Sequence, residues 1–244
     1  MSALFIVSRL LPVPHGFSVR EGGVSTGPFA SLNLGFSVGD ARAHVEENLA
    51  RLARAANLRP EDVQCVSQVH GDVVLHDPAV GAEADALWTE QPGSAVGVKT
   101  ADCVPILLVD PVRRRVAAVH SGWRGTDLEI SARAIEALVR EGSRPEDMLA
   151  AIGPAIQACC YEVSSELAER FRAKFGSEVL SEGANQPHLD LARAVHATLR
   201  RAGLSPDRID LLRECTSCDR TRHFSHRRDR GRTGRHLSFV VCRF

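Results

Sequence analysis

The sequence has few aromatic residues, no excess of charge of either sign, and no apolar run long enough to span a membrane. Only 5% of its 244 residues are Phe, Trp or Tyr, and 30 Lys and Arg balance 30 Asp and Glu. This balance supplies no overall field that would attract nucleic acid or an acidic membrane, and we expect neither as a partner. The longest apolar runs, such as 104–109, are far below the ~18 residues that a spanning helix requires.

Features of exported proteins are also missing. The amino terminus has an early apolar stretch, but no basic region precedes it and no small-residue cleavage site follows. Seven cysteines are an odd number in a chain too long to depend on disulfide bonds for its stability. We therefore expect a cytoplasmic protein with reduced thiols, and we expect it to be a monomer.

The order of predicted elements favours one domain over residues 1–244, because no repeat, low-complexity segment or linker divides the chain. Apolar residues at helical spacing predict four helices, at 45–56, 128–139, 167–175 and 191–199. Apolar or β-branched runs predict strands at 63–75, 95–99, 104–109, 115–120, 148–153, 208–213 and 237–242. This mixture indicates an α/β or α+β fold, whereas the glycine-rich first forty residues predict ordered loops.

His70, Cys103 and His120 are the strongest candidates for a metal site. Cys103 and His120 end predicted strands in TADCVPILLVDPVRRRVAAVHSGWRGT, and His70 lies in the polar interruption SQVHGDVV. A lone cysteine or histidine there is usually a packed structural residue. Two imidazoles and one thiolate together suit Zn²⁺, however, and three protein ligands leave its fourth position open, as in catalytic zinc sites. The three residues lie 33 and 17 positions apart, which is not a finger spacing.

The same atoms allow a different chemistry. Cys103 could be a nucleophile that His120 or His70 activates, with Asp102 as the orienting group. A zinc ligand is a committed thiolate, whereas a nucleophile must be free to attack. The two hypotheses therefore exclude one another, and metal analysis separates them.

The residues after this second strand predict an anion site. Arg124 lies between two glycines, and Thr126 and Glu129 form a Thr-x-x-Glu capping box that predicts a helix beginning immediately after Gly125. Free N–H groups at a helix start, beside a guanidinium, favour an anion such as phosphate. The alternative is an ordinary surface arginine beside a routine cap.

The remaining cysteines are predicted to be structural. Cys215, Cys218, His223 and His226 have the residue types of a zinc finger, but only four residues separate Cys218 from His223, far fewer than a finger uses. The adjacent pair 159–160 is interpreted as packing, because a disulfide between neighbours would be strained.

An arginine run follows Cys215 and Cys218 in the sequence. Acidic residues interrupt it and Phe224 is its single aromatic residue, so a phosphate-binding or active-site loop fits it better than a nucleic-acid groove. The run consists of Arg227, Arg228, Arg230, Arg232 and Arg235.

Six segments carry a family resemblance. They are HGFSVREGGVSTGPFASLNLGFSVGD, SQVHGD, TADCVPILLVDP, VHSGWRGT, IGPAIQACCYEV and FSHRRDRGRTGR. In this order, from about His15 to Phe239, they resemble the bacterial YfiH-type proteins, also called laccase-domain or polyphenol oxidase proteins. The resemblance implies a single α+β domain in which mixed sheets are sandwiched by helices in α/β/β/α layers. It also implies a zinc ion held by His70, Cys103 and His120.

The implied activity is phosphorolysis of purine nucleosides, namely adenosine, inosine, guanosine and methylthioadenosine, to the base and ribose-1-phosphate, with adenosine deamination as a further activity. The partners are then a small nucleoside and phosphate. The resemblance also leaves two alternatives: a cysteine hydrolase or amidase that edits peptidoglycan precursors, and a copper-dependent polyphenol oxidase. With only two methionines and scattered histidines, the sequence lacks a visible multicopper pattern, although Cu²⁺ competes well for N/S sites.

The candidate site follows from these motifs. We assign catalytic roles to the three zinc ligands, Arg124 and Asp102. The candidates for binding nucleoside or phosphate are Arg20, Asn33, Gln68, Gly122, His226, Arg227 and Arg228. One departure bears on the base: His223 stands where the family often has an aromatic residue, and we expect this change to alter a base-stacking contact.

Overall fold

A computed structural model describes residues 4–244. Its helices are α1 (Arg42–Ala55), α2 (Trp123–Asp127), α3 (Ile130–Arg140), α4 (Ser165–Phe175) and α5 (Leu191–Arg201). Its strands are β1 (Phe5–Ile6), β2 (His15–Ser18), β3 (Val63–Cys65), β4 (Val74–His76), β5 (Ala86–Thr89), β6 (Ala95–Thr100), β7 (Val104–Asp110), β8 (Arg115–Ser121), β9 (Leu149–Ile152), β10 (Leu180–Ser181), β11 (His188–Leu189), β12 (Ile209–Leu211) and β13 (His236–Val241). Short 3₁₀ turns cover Gly27–Phe29, Pro60–Asp62, Pro145–Asp147, Ser177–Val179 and Pro206–Arg208.

The strands form two large mixed sheets and a small hairpin. One sheet has five strands in the order β1-β2-β13-β6-β3, and the other has six in the order β12-β9-β7-β8-β5-β4. In the six-stranded sheet, β7 is antiparallel to both β8 and β9, whereas β12 is parallel to β9 and β4 is parallel to β5. Strands β10 and β11 pair separately.

The two sheets pack face to face, with helices on their outer faces. Apolar side chains from β2, β6, β7, β8 and β13 fill the space between the sheets. A second core joins the six-stranded sheet to α3, α4 and α5, and a third contains residues of α1 and the five-stranded sheet. The predicted α+β fold, with mixed sheets sandwiched by helices, is confirmed.

The position of β7 between two layers explains its continuous apolar run. All seven of its residues are buried, because one face meets the other sheet and the opposite face meets the helices. Leu107 and Val109 enter the core between the sheets, while Ile106 and Leu108 enter the helix-facing core. A strand covered on both faces has no position for a solvent-facing polar residue.

The predicted elements are confirmed where the residues of a single segment show a clear hydrophobic pattern. Helices α1, α4 and α5 and strands β6 to β9, β12 and β13 lie within a few residues of their predicted bounds. The predicted strand 63–75 is wrong: β3 ends at Cys65, β4 begins at Val74, and the loop between them contains His70. Strands β2 and β5 were not predicted. Each has four residues, too few for a clear alternation.

The predicted helix start after Gly125 is also wrong. Helix α2 begins at Trp123 with Gly122 as its N-cap, and the chain breaks at Glu129, whose φ of 58° is left-handed, before α3 begins. The Thr126 hydroxyl lies 2.8 Å from that of Ser121, and Glu129 pairs with Arg201. The two residues of the expected capping box therefore bond elsewhere.

No helix within residues 4–244 is long and apolar enough to cross a membrane. This agrees with the short apolar runs of the sequence.

His236, at the start of β13, makes stability depend on pH. Its Nε2 accepts a hydrogen bond from the backbone N–H of Phe224 at 2.8 Å. Burial, and then the charge of His223, lower the pKa of His236 to about 3 from its ordinary 6.5. As the pH falls below that ordinary value, the unfolded chain takes up a proton that the folded chain does not accept, so stability present at neutral pH is lost.

We expect the His236→Gln variant, whose amide oxygen can still accept from Phe224, to lose this dependence. Between about pH 7 and pH 5 the free energy of unfolding of the parent should fall by about 2 kcal/mol more than that of the variant. Denaturant titrations of both proteins at the two pH values measure the difference. Equal losses would show that His236 does not contribute.

Candidate functional site

Two neighbouring strands bring Cys103 and His120 together. Cys103 directly precedes β7, and His120 lies near the end of β8. The two strands are antiparallel, with Val104 opposite Ser121 and Pro105 opposite His120, so the start of one lies beside the end of the other. Cys103 and His120 therefore meet at one edge of the six-stranded sheet.

His70 reaches the same edge from the loop between β3 and β4. Its ring lies 4.8 Å from that of His120, at an interplanar angle of 74°. One nitrogen of each histidine and the sulfur of Cys103 all lie within 4.8 Å of one another. We call these three residues the metal triad. Their convergence, which the sequence predicted but could not demonstrate, is observed.

Asp85, directly before β5, holds both histidines. Its side chain is fully buried, and its Oδ1 lies 2.7 Å from His120 Nδ1. The carboxylate also accepts hydrogen bonds from the backbone N–H groups of Val69, His70 and Gly71, at 3.2, 3.0 and 2.6 Å. A carboxylate behind a metal-ligating histidine fixes its tautomer and ring orientation. Asp85 does this for His120 and anchors the His70 loop with the same group.

The three N–H groups explain how the loop keeps an unfavourable backbone. His70 has a φ of 60°, in the left-handed region that residues with a side chain rarely adopt. Successive N–H groups that point at one carboxylate form a small anion-binding concavity. Asp85 thus stabilises the conformation that presents the His70 ring to the triad.

The charges of the triad are coupled. Burial alone would lower the pKa of His120, but the charges of Cys103 and Asp85 and the hydrogen bonds to them raise it to about 9. Burial, and then the charge of His120, lower the pKa of His70. For Asp85, burial would raise the pKa, and the hydrogen bonds from His120 and Gly71 lower it. The buried Asp85 carboxylate and its hydrogen bond thus favour a positive charge on His120.

Gly122 leaves space for the triad. A Cβ atom at this position would lie 3.0 Å from His70 Nδ1 and 3.1 Å from Cys103 Sγ. Any side chain here would crowd two of the three ligand atoms. This close approach gives the predicted site residue Gly122 a steric role.

The triad lies in a cleft of about 550 Å³, a size within the range of small-molecule sites. Its walls combine basic, aromatic and apolar side chains. Besides the triad they include Phe36, Gln68, Lys99, Asp102, Gly122, Trp123, Arg124, Ile156, Tyr161, His226, Arg227 and Arg235. One side of the triad thus faces a space large enough for a ligand.

Six of the predicted residues line this cleft beside the triad: Gln68, Asp102, Gly122, Arg124, His226 and Arg227. Gln68 is fixed by two hydrogen bonds of 2.7 Å to the backbone of Lys99. The guanidinium of Arg124 lies over the ring of Trp123, and that of Arg227 lies over the ring of Tyr161.

Asp102 is held by its neighbours. It is buried with a φ of 91°, and its two carboxylate oxygens accept hydrogen bonds from the Thr216 hydroxyl and the Arg227 N–H, both at 2.7 Å. A ring nitrogen of His120 lies within 4.8 Å of the Cys103 sulfur, and His120 Nδ1 is hydrogen-bonded to Asp85. Asp102 thus positions the loop of Arg227, and Asp85 occupies the orienting position that the sequence analysis considered for Asp102.

Three predicted binding residues are outside the cleft lining. Arg20 donates to the carbonyls of Ala30 and Arg220, and Arg228 donates to that of Thr216. Asn33 is fully buried, and its Oδ1 accepts from the backbone N–H groups of Gly35 and Arg235, two residues of the wall. These three side chains hold loops that form the site.

His223 does not contact the cleft as the base-stacking expectation requires. Its ring is fully buried, with Nε2 3.0 Å from Glu214. The structure therefore places this departure from the family pattern behind the site wall.

The cysteines outside the triad also differ from their predicted roles. Cys215 and Cys218 lie beside the pair 159–160, and the four sulfur atoms are within 4.8 Å of one another. His223 bonds Glu214, and His226 lines the cleft, so neither joins the two cysteines. Interpreting the pair 159–160 as packing was wrong, because Cys159 is exposed.

Asp85, Tyr161 and Arg235 are among the site residues that sequence reasoning did not assign. Asp85 had a weak signal, a carboxylate directly before the apolar segment ALW, but its four-residue strand was not predicted. Tyr161 was not singled out. Arg235 was named only as a member of the arginine run, yet it is half-buried in the cleft. Burial lowers its pKa, and the nearby charges of Cys103 and Asp102 partly oppose this effect.

Comparisons with known proteins agree with this fold. A family model described as multi-copper polyphenol oxidoreductase laccase matches residues 14–243. A protein of Deinococcus radiodurans named purine nucleoside phosphorylase is 44% identical over 226 residues, which cover 92% of this chain and 87% of that protein. Purine nucleoside phosphorylase YlmD of Geobacillus stearothermophilus is 38% identical over 92% of this chain and 88% of its own.

Two crystal structures are closely similar. YlmD from Geobacillus stearothermophilus superposes with a TM-score of 0.90 at 34% identity, covering 100% of both chains. The hypothetical protein YfiH of Bacillus licheniformis has a TM-score of 0.89 at 35% identity, covering 93% of this chain and 91% of its own. The chain belongs to the YfiH-type laccase-domain family.

Proposed function

We propose that the protein is a zinc-dependent purine nucleoside phosphorylase. It would transfer the ribosyl group of a purine nucleoside to inorganic phosphate, releasing the base and ribose-1-phosphate. The observation that carries this proposal is the convergence of His70, Cys103 and His120 on one open face of an arginine-lined cleft. The names of the relatives in Deinococcus and Geobacillus support the same reaction.

The donor set of the triad fits zinc. Two imidazole nitrogens and one sulfur, with a buried carboxylate behind one imidazole, match the ligands and supporting hydrogen bonds of catalytic zinc sites. When bound, zinc supplies a Lewis acid that stabilises negative charge on an oxygen or nitrogen of the ligand. Asp85, His70, Cys103 and His120 would hold it.

The basic residues of the cleft suit phosphate. Arg124 and Arg235 are near enough to His70 for their charges to act on its pKa, and Arg227 lies on another part of the wall. A guanidinium binds two phosphate oxygens at once and fixes the orientation of the group. Phosphorolysis needs this, because the attacking oxygen must be held against the anomeric carbon of the ribose.

The flat and apolar side chains suit the purine. Phe36, Trp123, Ile156 and Tyr161 line the cleft beside the charged groups. Aromatic and aliphatic surfaces bind a purine ring over its faces, while a few polar groups fix its direction. This wall would accept adenosine, inosine and guanosine alike, since stacking depends little on the exocyclic groups. Methylthioadenosine has the same base as adenosine and differs only at the 5′ position of the sugar, so it would stack in the same way.

Adenosine deamination is a finer part of the proposal. Zinc deaminases use a glutamate as the proton shuttle. Asp102 is the carboxylate within the cleft lining of the described residues, and both of its oxygens are already hydrogen-bonded. We therefore expect deamination to be the weaker activity.

A cysteine hydrolase is the second candidate, and one observation favours it. The Asp85 carboxylate is hydrogen-bonded to His120 and orients it, and a ring nitrogen of His120 lies within 4.8 Å of the Cys103 sulfur. This is the arrangement of a nucleophilic triad. It acts on an acyl or amide substrate only while no metal occupies the thiolate.

A multicopper oxidase is less well supported by the donor groups. Such an enzyme needs several histidine-rich centres, whereas the part of the chain that the structure describes has one triad with histidines and one group of four thiols. Met148, which a blue-copper site would use as its weak axial ligand, is buried in the helix-facing core.

The test is incubation of purified protein of known metal content with adenosine and inosine, with and without phosphate. Chromatography of the products is expected to show free base and ribose-1-phosphate only when phosphate is present, and far less inosine than adenine from adenosine. Fully zinc-loaded protein that converts neither adenosine nor inosine would overturn the proposal.

The Arg124→Ala variant tests the phosphate site. Arg124 is exposed at its place in α2, so we expect the fold to be unchanged. Loss of one charged hydrogen-bonding group should raise the KM for phosphate by about 10- to 100-fold, since such a bond contributes about 1.5–3 kcal/mol. Arg140→Ala, an exposed arginine at the end of α3, is the matched control and should leave the KM unchanged.

A further inference from the structure

Four thiols form a cluster outside the metal triad. Cys159 and Cys160 lie in the turn after β9, and Cys215 and Cys218 lie in the turn after β12. Their four Sγ atoms are all within 4.8 Å of one another. We call these residues the thiol cluster.

The sulfur separations fit ligands of one ion. Cys218 Sγ is 3.5 Å from Cys159 Sγ and 3.3 Å from Cys160 Sγ. A tetrahedral Zn²⁺ with Zn–S bonds of about 2.3 Å keeps its sulfurs about 3.8 Å apart. The two separations at Cys218 are slightly shorter than this value, and all four sulfurs lie within 4.8 Å of one another. The Cys218 sulfur approaches two partners, which a single disulfide bond would not explain.

The sheet brings the two turns together. Strands β9 and β12 are parallel neighbours, so both turns leave the same edge. The pairing continues beyond the strands: Ala155 and Cys215 form a bridge, with the Ala155 N–H 3.2 Å from the Glu214 carbonyl and the Thr216 N–H 3.1 Å from the Ala155 carbonyl. The positions of the four cysteines thus follow from backbone pairing.

Backbone N–H groups point at one sulfur of the cluster, that of Cys215. Cys215 Sγ accepts from the backbone N–H of Gln157 at 3.5 Å, and the N–H groups of Ser217 and Cys218 also point to it. The guanidinium of Arg228, which also pairs with Asp229, fixes this turn by donating to the carbonyls of Thr216 and Ser217 at 2.8 and 3.3 Å. Four thiolates around a divalent ion leave two negative charges, which such donors offset.

We propose that Cys159, Cys160, Cys215 and Cys218 bind a second, structural zinc ion. Binding displaces the thiol protons to solvent and closes the coordination sphere with four sulfurs, so no position stays open for a substrate. This ion is distinct from that of the metal triad and does not depend on the proposed phosphorylase activity.

The thiol cluster would stabilise one wall of the cleft. Thr216, between its two later cysteines, donates its hydroxyl to Asp102, the neighbour of Cys103. Tyr161 follows Cys160 directly, and its ring lies under the guanidinium of Arg227. Fixing the two turns fixes these contacts, whereas no cluster sulfur belongs to the cleft lining.

The test counts zinc in the full chain, purified under reducing conditions without added chelator. Elemental analysis of the Cys103→Ser variant, whose triad is broken, is expected to find one zinc per chain and of the parent two. Cys218→Ser should lower the parent content to one, and the double variant should contain none. Cys65→Ser, which lies outside both sites, should keep two.

The Cys103→Ser result does not require any change in the cluster, so it stands even if Cys218→Ser fails to fold. Absence of zinc in Cys103→Ser would overturn the proposal, as would one equivalent of iron in place of zinc. An intact mass two hydrogens below that of the fully reduced chain would do the same, because it identifies a disulfide. Nucleoside turnover is not part of this measurement, so failure of the proposed function would leave it unaffected.

Discussion

Replacing Cys103 with alanine is expected to remove the metal of the triad and to lower kcat for nucleoside phosphorolysis by at least about 1000-fold. The sulfur is one of three ligands within 4.8 Å, and the two histidines alone bind zinc weakly. Loss of a Lewis acid removes several kcal/mol of transition-state stabilisation, and about 4 kcal/mol corresponds to this factor. Zinc analysis and steady-state assays of the same preparation measure both effects.

Cys65→Ala is the matched control, since Cys65 lies in β3 and belongs to neither metal-ligand group. We expect it to keep the parent's metal and activity. The same experiment separates the two enzyme hypotheses. A Cys103→Ala protein that loses turnover although the parent never contained metal would support the cysteine hydrolase and contradict the phosphorylase proposal.

Replacing Asp85 with asparagine is expected to weaken zinc binding by about 10- to 100-fold, the usual effect of losing a carboxylate behind a metal-ligating histidine. The amide lacks the negative charge, and its NH₂ group would face N–H donors from His120 or from the His70 loop. We also expect the free energy of unfolding to fall by about 2–3 kcal/mol, because buried donors are left without an acceptor. Competition with a chelator gives the zinc Kd, and denaturant titration gives the stability.

Asp110→Asn distinguishes a positioning role from simple destabilisation. Asp110 is also fully buried, and its Oδ1 accepts backbone N–H groups from Val112 and Arg113, at the opposite end of β7 from Cys103. This variant should lose stability and keep the zinc Kd of the parent. If both variants bind zinc with the parent's affinity, Asp85 does not position the triad.

Local sequence patterns predicted those elements in which apolar residues recur at a regular spacing, or continuously, within one segment. The 167–175 pattern became α4, and the apolar run 104–109 became β7. Helix periodicity and continuous burial are properties of neighbouring residues, so one sequence contains the information. The predicted capping box at Thr126 was wrong because tertiary contacts decided its outcome. The Thr126 hydroxyl is hydrogen-bonded to that of Ser121, and the helix begins earlier, at Trp123.

Half of the candidate site was also available to the sequence. Polar residues at the ends of apolar strands pointed to Cys103 and His120, a polar interruption pointed to His70, and the family resemblance implied the same three residues. Asp85 was hidden because its importance lies in four hydrogen bonds to residues 14 to 35 positions away. Asn33 and Arg20 carried binding motifs but bond the loops that support the cleft, a difference that depends on the direction of their side chains.

The sequence by itself determined the element types, the apolar strands that become buried and the donor atoms available for a metal. Only the tertiary structure decided which donors meet, because strand order and register set the distances between residues far apart in the chain. Pairing of β7 with β8 placed Cys103 beside His120, and pairing of β9 with β12 placed the pair 159–160 beside Cys215 and Cys218. Each contact joins segments whose local patterns hold no information about the other.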